Sequence, residues 1–160
     1  MNDIDPLLNA DDRFVLGNVA LMAVTHGFGG EIADIVELLK EEDPTDASAC
    51  LLEAVYLDSI GDAETALETL ESFNVFETQN GREDAIAFHL HLVAKLGHVE
   101  RARDLGKAYI RDGDIQKESA RHMVVATLNT LRRPGTDRRF ETRNSKMRGQ
   151  NEDEVSYGND

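Results

Sequence analysis

Residues 46–73 read DASACLLEAVYLDSIGDAETALETLESF, and this stretch decides the fold. Its first half, Asp46 to Ile60, is apolar nearly all round: Ala47, Ala49, Cys50, Leu51, Leu52, Ala54, Val55, Tyr56, Leu57 and Ile60. Its second half places Ala63, Ala66, Leu67, Leu70 and Phe73 on one stripe at helical spacing. Gly61-Asp62 separates them and predicts a turn between two antiparallel helices. A helix that is apolar all round must be covered on more than one side. Its hairpin partner covers one side, so further elements have to cover the rest.

The unit recurs. Gly61-Asp-Ala-Glu-Thr-Ala66 aligns with Gly97-His-Val-Glu-Arg-Ala102, with Gly, Glu and Ala in register 36 residues apart. Phe73 aligns with Tyr109. A helix-turn-helix unit of about 34 residues is the length of a tetratricopeptide repeat (TPR). The glycine suits the residue just beyond a helix end, and the small Ala66 and Ala102 let paired helices approach closely. The unit thus resembles a TPR, without the usual proline near its end.

Outward from this centre, the pattern predicts two more hairpins. Arg13 to Thr25, with FVLGNVALMAVT, is a nearly all-apolar first helix, capped by Asn9, Asp11 or Asp12. Gly17 inside it costs roughly 1 kcal/mol relative to Ala and marks either a close contact or a tolerated weak spot. His26-Gly-Phe-Gly-Gly30 is the turn, and Glu31 to Glu42 the amphipathic partner, with Ala33 in the role of Ala66 and Ala102. The turn has no P-loop lysine and no preceding strand, so it reads as a helix connection. Asn74 to Arg82 is a longer connection that packs Val75 and Phe76 under the array. Glu83 to Leu96 and Val99 to Arg111 form the third pair, and a last helix capped by Asp114 runs to Leu131 and covers the end of the stack. The expected fold is therefore all-α: a TPR-like array of about three helix pairs plus a C-terminal capping helix. It spans residues 13–131, after a loose lead-in over 1–12 with a short turn at Asp5-Pro6. From Arg132 the periodicity stops, and residues 132–160 read as a disordered charged tail.

Charge limits the partners. Up to Leu131 there are 10 Lys and Arg against 25 Asp and Glu, a net of −15. A folded part this acidic argues against nucleic acid and against anionic membrane surfaces. It serves solubility, or a basic or aggregation-prone partner. The tail changes sign: residues 132–148 carry seven basic and two acidic side chains, and 149–160 carry four acidic ones. No apolar run approaches the about 18 residues of a membrane span, and the start has no secretory pattern. A cytoplasmic location without membrane insertion is the expectation.

Nothing in the chain reads as an active site. His89 and His91 stand roughly 200° apart on a helix, not at the i, i+4 spacing of zinc ligands. His26, His98 and His122 are scattered, and Cys50, the single cysteine, suits a small core residue. The serines lack a nucleophile-elbow context. We therefore expect no enzyme, no cofactor and no metal. In a TPR-like array the first helices line the inner surface and the second helices lie outside. In the central helix Cys50, Ala54 and Leu57 then point to the partner helix, and Leu51, Val55, Asp58 and Ser59 to a groove. By the same phase Phe14, Gly17, Leu21 and Val24 line it in the first helix, and Ala87, His91 and Ala94 in the third. Such a groove suits an amphipathic helix with anchors at i, i+3, i+4 and i+7.

The order FVLGNVALMAVTHGF, EIADIVELL, LLEAVYLDSIGDAETALETL, AFHLHLVAKLGHVERARDL and a short closing helix resembles a known family. It is similar to the TPR-like needle-subunit chaperones of bacterial type III secretion systems and the related small secretion proteins of plant pathogens. The resemblance covers residues 13 to 131 and rests on Gly61-Asp62 with Ala66 and Leu67, and on Leu96-Gly97 with Ala102. It implies a cytoplasmic virulence-associated export chaperone. The groove would hold the C-terminal helix of a needle-type subunit and prevent premature polymerisation. A small helical co-chaperone would contact the N-terminal part. The tail beyond Leu131 is not part of the family pattern. Alternatives are a three-TPR translocator chaperone, a general TPR adaptor for protein–protein interaction, and a homodimer that closes its own groove when client-free.

Overall fold

The computed structural model describes residues 7–73, 75–78 and 80–132. The expected turn at Asp5-Pro6 and the tail beyond Arg132 lie outside the described residues, as does the side chain of Phe76. Within them the protein is all-helical, with seven α-helices and no strand. These are α1 (Ala10–Thr25), α2 (Ala33–Glu42), α3 (Ala47–Ser59), α4 (Ala63–Ser72), α5 (Arg82–Lys95), α6 (Val99–Arg111) and α7 (Glu118–Leu131). Short 3₁₀ turns occupy Gly29–Glu31 and Val75–Glu77.

One turn is used three times between paired helices. Gly27, Gly61 and Gly97 take φ of 84°, 91° and 83°, which side-chain-bearing residues rarely adopt. In each case the next N–H reaches back five residues: Phe28 N to Ala23 O (2.8 Å), Asp62 N to Leu57 O (2.9 Å) and His98 N to Val93 O (3.1 Å). This is the Schellman closure, which satisfies carbonyls the helix end leaves open. It folds α1 onto α2, α3 onto α4 and α5 onto α6.

The hairpins then stack. Helix α3 packs on α1, α2, α4 and α5, and α5 packs on α3, α4, α6 and α7. First helices α1, α3, α5 and α7 thus run side by side, with α2, α4 and α6 between successive members. Ala66 and Ala102 are fully buried, where a larger side chain would push paired helices apart. Cys50 and Ala54 face α4 in the same core, with Leu57 packed against it. The main core joins α3 to α7 through residues such as Leu70, Ile86, Leu90, Val93, Val124 and Leu128. Val75 is buried in it. A smaller core, Ala20, Val24, Ile32, Val36 and Leu52, holds α1 and α2 to α3.

Several boundaries differ from the sequence reading. Helix α1 begins three residues early because Asn9 and Asp12 form a capping box: Asp12 N donates to Asn9 Oδ1 (3.0 Å) and Asn9 N to Asp12 Oδ2 (3.2 Å). Ala33 is exposed, and Ile32 takes the buried place that Ala66 and Ala102 hold, since the left-handed glycine is Gly27. Asp114 does not cap the last helix. Its carboxylate takes Arg82 Nη2 (2.8 Å), while Glu83 of α5 accepts from Gln116 N (2.6 Å) and Lys117 N (2.5 Å). A carboxylate from a neighbouring helix thus meets the backbone donors that lead into α7.

Candidate functional site

An open cleft of about 520 Å³ lies between α1 and α3. Ala10, Phe14, Gly17 and Leu21 of α1 form one wall, and Ser48, Leu51, Leu52 and Val55 of α3 the other. Asn80, Asp84 of α5 and Lys117 close one end, where Lys117 Nζ pairs with Asp84 Oδ2 at 2.5 Å. Arg13 and Asp46 add polar groups at the mouth.

The cleft follows from how α1 is held. One face is anchored: Ala20 and Val24 are buried against Ile32, Val36 and Leu52. The face of α1 turned to the cleft carries equally apolar side chains with little to cover them. Phe14 is 72% exposed and Leu21 44% exposed. A Cβ built on Gly17 meets no atom within 4 Å, so the backbone between Phe14 and Leu21 stands open to the cleft. Opposite, Leu51 and Val55 are half-buried, one turn apart on α3, and share a face.

Five of the residues assigned to the groove by helical phase therefore meet here: Phe14, Gly17, Leu21, Leu51 and Val55. The others lie elsewhere. Val24 is core, on the packed side of α1. Asp58 is tied to Lys95 of α5 at 2.6 Å, and exposed Ser59 donates to Tyr56 O at 2.6 Å. Ala87 is fully buried in the core that α5 shares with α7. His91 stacks on Phe88 at a centroid distance of 5.7 Å, and Ala94 is packed against the main core. The physical reason is α7: it packs on α5, and their shared core takes up Ala87 while Ala94 packs against it. Phase arithmetic alone treats all three first helices as equivalent. Among the lining residues that it missed, Asp46, Ser48, Asn80, Asp84 and Lys117 stand at or near the N-terminal ends of α3, α5 and α7. Only the tertiary stagger of those ends brings them together.

A second hollow of about 460 Å³ lies between α2 and α3, spanned by the ion pair of Lys40 with Glu53. The titratable groups in the interior serve packing. Burial pushes the Cys50 thiol up to about 11, which keeps it protonated, and its Sγ lies 3.5 Å from Thr69 O. His89 is 2% exposed and shares Glu71 Oε1 (3.2 Å) with Arg101 Nη2 (2.6 Å), which links α5, α4 and α6. Burial holds its imidazole below the ordinary value, although Glu71 draws it up. Burial alone would raise Glu71, but Arg101 and His89 outweigh it and hold the carboxyl below its usual range.

Among the described residues no group of three or more His, Cys, Asp or Glu is placed to hold a metal ion, and no helix is long and apolar enough to cross a membrane. What the arrangement offers is a largely apolar open cleft between two helices, on an acidic body. Comparison with family models, with curated proteins and with solved structures found no match.

Proposed function

We propose that this protein is a cytoplasmic export chaperone that holds an amphipathic helix of a needle-type secretion subunit in the cleft between α1 and α3. The observation that carries the reading is the pair of exposed apolar side chains, Phe14 and Leu21, facing Leu51 and Val55 across an open cleft. Water-exposed Phe and Leu on one wall stabilise nothing in the free chain, yet supply anchors for a docked helix. A client helix that buries them is shielded from its own copies, which is what prevents premature polymerisation. The acidic body keeps the complex soluble and favours a client of opposite charge. A small helical co-chaperone would sit at the N-terminal part, as the family resemblance implies.

A single variant tests this. Leu21→Asp places a solvated charge in the empty cleft but buries an unpaired one under a docked helix. It should melt near the parent temperature and fail to retain the co-expressed needle-type subunit of the source organism. Retention of that subunit by a folded Leu21→Asp variant would remove the cleft from the account.

A second reading, an adaptor for a short peptide tail, draws on Arg13 and Lys117 at the cleft end. Lys117 is already committed to Asp84, which weakens it. Loss of the partner in Arg13→Ala with retention in Leu21→Asp would favour this reading.

A further inference from the structure

Helix α1 has a second apolar face, turned away from the cleft and from the array. Val15, Val19 and Met22 recur at i, i+4 and i+7 and are 56%, 51% and 61% exposed. Terminal units of stacked arrays need a polar outer face to stay soluble. The opposite end comes closer to this: α7 exposes Glu118, Arg121, His122 and Asn129, and its exposed apolar side chains, Met123 at 41% and Val125 at 40%, are fewer and better covered. Helix α1 does not, and no charged residue occurs from Phe14 through Gly30.

We propose that this outer face of α1 is a self-association surface, and that its occupant is α1 of a second copy, packed antiparallel about a two-fold axis. Three observations select that occupant. The first is register. A two-fold axis between Asn18 and Val19 sets Val15 opposite Met22 of the second copy, and Val19 beside its own counterpart. An isologous interface requires this kind of self-complementarity. The second is charge. Two bodies of net −15 repel wherever acidic surfaces meet, and a stretch of 17 residues without charge lets them approach. The third is composition. The large apolar residues beyond Arg133 are Phe140, Met147, Val155 and Tyr157, and no two of them stand three or four apart, so that segment offers no matching stripe. The six residues before Leu7 offer only Met1 and Ile4. The cleft lies on a different face of α1, so the pairing leaves Leu51 and Val55 free to bind a client.

A single helix face is small against the about 1,200–2,000 Å² of a stable complex, so the pairing depends on concentration. Sedimentation equilibrium of the full chain should show a mass that rises from 17.8 kDa toward twice that value with loading. Val19→Asp should hold it at the monomer mass with an unchanged melting temperature, and Leu51→Asp should leave the dimer intact. Oxidised Val19→Cys should give a covalent dimer and Ile60→Cys should not, because Ile60 is as exposed but lies just past the end of α3 and not on the outer face of α1, and the native Cys50 is buried. Three results would overturn the proposal: a wild-type monomer up to about 1 mM, a dimer that survives Val19→Asp, or a dimer lost in Leu51→Asp. Failure of Val19→Cys to cross-link above Ile60→Cys would overturn the antiparallel register even if Val19→Asp failed to fold.

Discussion

The two ends of the array are built from similar helices and held in different ways. At the C-terminal end α5, α6 and α7 close on one another: Gly106 has no room for a side chain, since an added Cβ would lie 2.8 Å from Leu128 Cδ2 and 3.1 Å from Leu90 Cδ2. At the N-terminal end Gly17 sits mid-helix with open space around it. One glycine is required by packing; the other weakens its helix with no return inside the free chain. On α7 the exposed apolar side chains are Met123 and Val125, at 41% and 40%, among polar ones, whereas on α1 Phe14, Val15, Val19 and Met22 are all more than half exposed. The lesson is a division of labour. The C-terminal end is closed by its own helices, and the N-terminal end leaves apolar faces of α1 uncovered, which the proposed docking of other helices would cover.

The largest effect should come from truncating one large side chain at each end. Leu90→Ala removes a fully buried group and should cost about 2–5 kcal/mol by denaturant unfolding. Phe14→Ala should stay within about 0.5 kcal/mol. Similar losses at both sites would break the comparison, because α1 would then be packed as tightly as α5.

The two glycines give a contrast in sign. Gly106→Ala overpacks the contact of α6 with α5 and α7 and should destabilise by about 1–3 kcal/mol. Gly17→Ala should stabilise the free chain by up to about 1 kcal/mol. A fall in melting temperature for Gly17→Ala would mean that α1 lies closer to α3 than the cleft allows.

A smaller effect concerns acid. The His89 imidazole is held below its ordinary value in the folded chain, so the unfolded chain takes up the proton first. Its contribution is complete above the unfolded value of about 6.5 and is lost as pH falls from there through the folded value. Stability should therefore decline over that window, and His89→Gln should flatten the decline. An equal slope in parent and variant would show that the α4–α5–α6 junction does not carry the acid sensitivity.

Much of the fold was legible. Gly61 and Gly97 mark identical turns because a left-handed residue at a helix end is a local demand that sequence records directly. Ala66 and Ala102 were legible for the same reason, being small where two helices must touch. The first turn was read out of phase: HGFGG holds three glycines, and only the structure shows that Gly27 is the left-handed one, which moves the buried position from Ala33 to Ile32. The start of α7 was misplaced because Glu83, 33 residues away, meets the donors ahead of it, and long-range caps leave no local signal. Half of the candidate site was legible, since Phe14, Gly17, Leu21, Leu51 and Val55 share faces that period alone defines. Ala87, His91 and Ala94 fall outside the cleft because period cannot foresee that α7 packs on α5.

The central claim is that the cleft between α1 and α3 is a docking slot and not loosely packed core. The most direct test is one variant, Leu21→Asp, measured twice: thermal unfolding by circular dichroism, and retention of the needle-type subunit after co-expression. The account predicts an unfolding midpoint near the parent's and a subunit that no longer co-purifies. A variant that unfolds well below the parent would assign Leu21 to the core, and a stable variant that still holds the subunit would place the client elsewhere.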